Sequence, residues 1–121
     1  MGQNTCRYDI KGLQQELDVE VSDLAMLFLS YINEMQSEIA EMYRCLSEGD
    51  FNMLQRVVHN IKGVSANLRI KDVEKAASDY GDMLRRGETL ESGLYINRIV
   101  QLISEAQNEI RNYFHLNGYS L

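Results

Sequence analysis

Between Asp9 and Tyr113 the apolar residues recur every three or four positions, and no stretch of strand length alternates apolar with polar. That spacing marks helices with one buried stripe each. The longest stripe runs through Leu24, Leu27, Phe28, Tyr31, Ile32, Met35, Ile39, Met42 and Leu46 and predicts a helix over 22–47. Gly49 suits a left-handed C-terminal end, and Asp50 suits the cap of a second helix over 50–68. On a helical wheel Phe51, Leu54, Val58, Ile61, Ser65 and Leu68 of that segment share one apolar arc of roughly 100°. Arg69-Ile70-Lys71-Asp72 then breaks the period. Asp72 is the expected cap of a helix over 72–86 with Val73, Ala76, Ala77, Tyr80 and Leu84 inward, stopped at Gly87. Thr89 is placed to cap the last helix, 90–115, whose stripe holds Leu94 or Tyr95, Ile99, Leu102, Ile103, Ala106, Ile110 and Tyr113 before Asn117-Gly118 ends it. A short first helix over 9–17 puts Ile10, Leu13 and Leu17 on one face and reads as a lid.

Connections this short make successive helices antiparallel neighbours. The expected fold is therefore all-α: an antiparallel up-down-up-down four-helix bundle with a short extra N-terminal helix, one domain spanning 1–121. Neither an internal repeat nor a linker interrupts it, and proline is absent.

Composition narrows the function classes. Hydrophobic residues make up 45% and charged residues 25% of 121 positions, as in an ordinary globular domain with one core. Twelve basic residues against eighteen acidic give a net charge of −6, which argues against nucleic acid and against an anionic membrane surface. The acids of the first half, Glu16, Asp18, Glu20, Asp23, Glu34, Glu38 and Glu41, read as solvated helix faces, because no twelve-residue EF-hand spacing occurs. No apolar run approaches the roughly 20 residues of a membrane span, and the polar start Met1-Gly2-Gln3-Asn4 lacks the pattern of a signal peptide. A cytoplasmic location is expected. Cys6 and Cys45 are too few and too far apart for a disulfide framework or a zinc site, so two unpaired thiols are expected and no metal or cofactor.

Chemistry concentrates in the run His59-Asn60-Ile61-Lys62-Gly63-Val64-Ser65-Ala66-Asn67-Leu68. The wheel sets His59 about 140° from Leu54, outside the apolar arc, among Asn52, Gln55, Gly63 and Ala66. An imidazole there is a surface nucleophile, not a core side chain. Lys62 and Gly63 lie one turn on, on the same face. An ammonium at Lys62 sets a positive charge about one turn from the imidazole and favours its neutral form. Helical side chains lean toward the N-terminus, so a residue at position 63 would lie over His59, and glycine leaves it open. Ser65 falls in the apolar arc, where its expected job is structural, its hydroxyl bonded to the Ile61 carbonyl. His115 stands near a helix C-terminus, where it suits the dipole.

This run resembles the signature of histidine-containing phosphotransfer (HPt) domains: His, two residues, Lys-Gly, one residue, Ser, then Leu-Gly on one helix. The match fails only at Arg69, where the family usually has glycine, and the likeness extends from about Tyr8 to Phe114. The resemblance implies a phosphorelay intermediate in which His59 takes a phosphoryl group from the aspartate of one receiver domain and passes it to another. Lys62 would assist electrostatically and Gly63 would give access. Partners would be response-regulator receiver domains and a hybrid sensor histidine kinase. Receivers in the family dock beside the histidine, so Gln55, Ala66 and the off-stripe Met26 and Leu29 are the expected contact residues. Cover by the first helix is the alternative for Met26 and Leu29. The domain would be a phosphocarrier without kinase or ATPase activity, consistent with the absence of a Walker loop or kinase glycine loop. A chain starting at Met1 is expected to be freestanding, with a detached piece of a hybrid kinase as the variant. The alternative function is a non-catalytic helical adaptor, kept open by Arg69, because arginine strains the left-handed turn that glycine allows.

Overall fold

The structure, a computed structural model, describes residues 6–121; Met1 to Thr5, with the polar start Met1-Gly2-Gln3-Asn4, lie outside the described residues. Among the described residues five helices follow one another: α1 (Ile10–Leu17), α2 (Val21–Glu48), α3 (Phe51–Asn67), α4 (Lys71–Arg85) and α5 (Ser92–Leu116). α2 packs on α3, α3 on α4, α4 on α5 and α5 back on α2, closing a ring. Side-chain pairs fix the directions. Tyr31 meets Ser65 and Glu34 and Glu38 meet Asn60, so α2 and α3 run antiparallel. Tyr43 with Asn97 and Phe28 with Phe114 make α2 and α5 antiparallel in the same way. The result is the expected four-helix bundle, with α1 packed across one end through Ile10 and Leu13.

Aromatic and branched side chains fill the centre, among them Phe28, Tyr31, Met35, Leu54, Ile61, Tyr80, Ile103 and Phe114, each at most 1% exposed. Burying a side chain of this size is worth about 1.5–3 kcal/mol, which is why each stripe turns inward. Apolar residues at the margins of the stripes do not: Leu17 (45% exposed), Leu27 (45%) and Leu94 (66%) face water, and Tyr95 takes the inward side at the start of α5. α1 therefore buries two residues of its expected three, and α2 is held without Leu27.

Two helix starts fall where local chemistry suggests, and two do not. Asp9 Oδ1 accepts from the Gly12 amide at 3.0 Å, and Asp50 Oδ1 from the Met53 amide at 3.1 Å. Asp72 is not a cap. α4 begins one residue earlier, at Lys71, and Asp72 sits inside its first turn, accepting from the Val73 amide at 2.8 Å and the Tyr8 hydroxyl at 3.0 Å. Thr89 does not cap α5 either, because Thr89 to Glu91 form a turn in which the Thr89 carbonyl accepts from the Ser92 amide at 3.2 Å.

The end of α3 is decisive for the site. The Ile70 amide donates to the Ser65 carbonyl at 2.9 Å and the Arg69 amide to the Ala66 carbonyl at 3.1 Å. This is a Schellman closure, which needs a left-handed residue at its hinge. Arg69 supplies it with φ of 60°. Arginine does not continue the helix, then, but adopts the geometry a glycine would take, and its guanidinium pairs with Glu16 and Asp9 of the α1 segment.

Candidate functional site

α3 carries the site because its inner face is fully committed. Leu54, Val58 and Ile61 are buried to the last ångström, which turns His59 outward, and His59 is exposed. Asn60 beside it donates from Nδ2 to Glu34 at 2.8 Å and Glu38 at 2.7 Å, pinning the helix to α2 on one side. On the other side α4 approaches closely at Gly81, where an added Cβ would lie 3.8 Å from Val58 Cγ1 and 3.9 Å from Arg85 Nη1. The histidine thus stands on a helix clamped at both flanks.

A shallow open depression of about 480 Å³ lies against the imidazole, lined by Asn52, Gln55, Arg56, His59 and Arg85. Arg85 comes from α4 and is paired with Asp82. Arg56 and Lys62 have no ion-pair partner among the described residues. In a chain of net charge −6, the depression beside His59 thus holds one cation outside any ion pair among the described residues, Arg56, with Lys62 one helical turn beyond the histidine. Gly63 adds clearance: a Cβ there would meet nothing within 4 Å.

The structure brings His59, Lys62, Gly63 and Gln55 together on one face, with half-buried Ala66 a turn beyond. Met26 and Leu29 stand apart. The α2–α3 register set by Tyr31 and Ser65 places them some eight to eleven residues from the level of His59, roughly 12–16 Å along the axis. Met26, 62% exposed, is not covered by α1, while Leu29 is half-buried. Ser65 is buried as expected, but its partner is different: its hydroxyl lies 2.8 Å from the Tyr31 hydroxyl, not on the Ile61 carbonyl. Burial pushes the Tyr31 phenol up to about 12. Arg56 and Arg85 were missed by sequence reasoning. Arg56 was within reach of it, three residues before His59, whereas Arg85 arrives from another helix and needed the register.

Both cysteines are free thiols, Cys6 half-buried and Cys45 buried. Among the described residues no helix is long and apolar enough to cross a membrane.

The family model of the Hpt domain matches residues 26–109, from the second turn of α2 to within α5. The chain belongs to the Hpt domain family. Hpt domains are phosphocarriers that exchange phosphoryl groups with receiver domains and histidine kinases in two-component signalling. No curated protein and no solved structure matches the chain. The matched span contains the whole depression around His59 and leaves α1 outside it.

Proposed function

We propose that this Hpt domain is a phosphorelay intermediate whose carrier atom is Nε2 of His59. The imidazole attacks the phosphorus of a receiver's aspartyl phosphate, the N–P bond forms as the acyl P–O bond breaks, and the aspartate leaves as a carboxylate. In transfer to a second receiver the aspartate carboxylate of that receiver attacks the phosphorus, an acyl P–O bond forms as the N–P bond breaks, and the neutral imidazole of His59 is restored. The observation that carries this reading is an exposed histidine in a depression lined by Arg56 and Arg85, one turn before Lys62 and an open Gly63, on a helix fixed at both flanks. Positioning and charge neutralisation are what phosphoryl transfer asks of a protein. Lys62, Arg56 and Arg85 neutralise the moving phosphoryl oxygens, and Gly63 and Gln55 admit the receiver. The chain acts as one domain in the cytoplasm, supplies no nucleotide site, and leaves the acceptor carboxylate to its partners.

Arg69, which favoured a phosphate-free adaptor, keeps the left-handed turn. The departure from the family pattern therefore leaves the helix carrying His59 undisturbed. Incubation with a phosphorylated receiver, followed by intact mass and acid treatment, separates the readings. A carrier gains one acid-labile phosphoryl group, while an adaptor binds the receiver and gains none.

A further inference from the structure

Away from His59, the flank between α4 and α5 holds a second recess of about 470 Å³. Its floor is apolar: Leu102 is buried and Ala76 and Tyr95 are half-buried. Tyr95 is held in place by stacking on Tyr80, with ring centroids 5.7 Å apart. Apolar surface gathered in a recess and left to water is a feature of interaction sites.

The rim gives the occupant its charge. Asp72 is taken up by Arg7 and Asp79 by Lys75, each at 3.1 Å. Lys71 and Arg98 have no ion-pair partner among the described residues. Two cations outside any ion pair, beside an apolar floor and on a chain of net charge −6, complement a guest that is both acidic and apolar. Spacing narrows the guest further. The stacking of Tyr80 on Tyr95 sets Arg98 level with Ala77, so Lys71 and Arg98 stand about six residues apart along the groove, roughly 9 Å. A helix repeats a face every seven residues, roughly 10.5 Å.

We propose that this groove docks an acidic amphipathic helix of a partner protein, with carboxylates seven residues apart on Lys71 and Arg98, apolar residues between them on Ala76 and Leu102, and a further apolar residue on Tyr95 beyond Arg98. Recognition is of the helix-in-groove kind. Because α4 separates the groove from α3, the guest leaves the surface around His59 free, and a tethered partner stays bound while His59 is occupied by another protein.

The test uses the isotope-labelled chain and a synthetic helical peptide with Glu at positions i and i+7 and Leu at i+3 and i+4. Amide shifts centred on Ala76, Tyr95 and Leu102 are expected, with a Kd below about 1 mM that weakens with added salt. The double variant Lys71→Glu/Arg98→Glu should bind about tenfold more weakly, and so should a peptide with Lys in place of Glu. Circular dichroism confirms that the variant is folded, and phosphorylation of His59 by a small-molecule donor should be unchanged in it. No groove shifts at millimolar peptide, shifts centred on α3 instead, or equal binding of the acidic and basic peptides would overturn the proposal.

Discussion

Replacing His59 by glutamine keeps a polar side chain of similar reach on the outer face of α3 and removes the ring nitrogen proposed to receive phosphate. Transfer should vanish with no loss of stability, read as absent acid-labile label and an unchanged Tm. In the proposed relay Lys62 acts through charge at a half-exposed position, where such assistance is worth about 1–2 kcal/mol, not the whole barrier. Lys62→Ala should slow transfer by roughly tenfold, and an unaltered rate with several receivers would make it a bystander. Gly63 has open space above it, so Gly63→Gln should hold or raise Tm, since glycine inside a helix is about 1 kcal/mol worse than alanine. The same variant should weaken transfer from a receiver while a small-molecule donor still labels His59. The histidine, lysine and glycine were legible because their spacing alone puts them on one face. Arg85 was not, because it comes from α4 and its place beside His59 depends on how that helix packs on α3.

At the scale of elements, α2 and α3 are joined by a buried hydroxyl pair, and Tyr31→Phe strands the Ser65 hydroxyl without a partner. The expected loss is about 1–3 kcal/mol, seen as a lower denaturation midpoint. Because the folded phenol titrates at about 12 against 10.0 for an ordinary tyrosine, stability from Tyr31 is complete below pH 10.0 and falls as pH rises toward 12. Tyr31→Phe should flatten that alkaline slope. Arg69 in left-handed geometry costs about 1 kcal/mol relative to glycine, and its exposed ion pairs to α1 return about 0–1. Arg69→Gly should therefore leave stability equal or up to about 1 kcal/mol higher; a larger loss would mean that the tie to Glu16 dominates. Helices were readable from their stripes, since burial of one face selects the period. Their starts were less so. Asp72 is claimed by Tyr8 and Arg7 from the N-terminal segment, contacts between residues 64 and 65 positions apart that no local pattern records. Leu27 and Leu94 show the same limit, because a wheel counts apolar residues without knowing which neighbours cover them.

Across the whole molecule, four of the cations without an ion-pair partner among the described residues stand beside two recessed surfaces while the net charge is negative. Arg56 and Lys62 flank His59, and Lys71 and Arg98 flank the α4–α5 groove. The ring of four helices holds the two surfaces on different flanks, which suits a carrier that must meet one partner while releasing another. Charge at the first surface governs encounter, so transfer from a receiver should slow with added salt more than labelling by a small-molecule donor. The central claim is that phosphate passes through His59. The direct measurement starts from a radiolabelled phosphoreceiver, adds this chain and then a second receiver, and follows the label with time. The account predicts label on the chain, mapped to His59 and acid-labile, followed by its appearance on the second receiver, and neither step with His59→Gln. Label that stays on the first receiver, or passes equally well through His59→Gln, would contradict it.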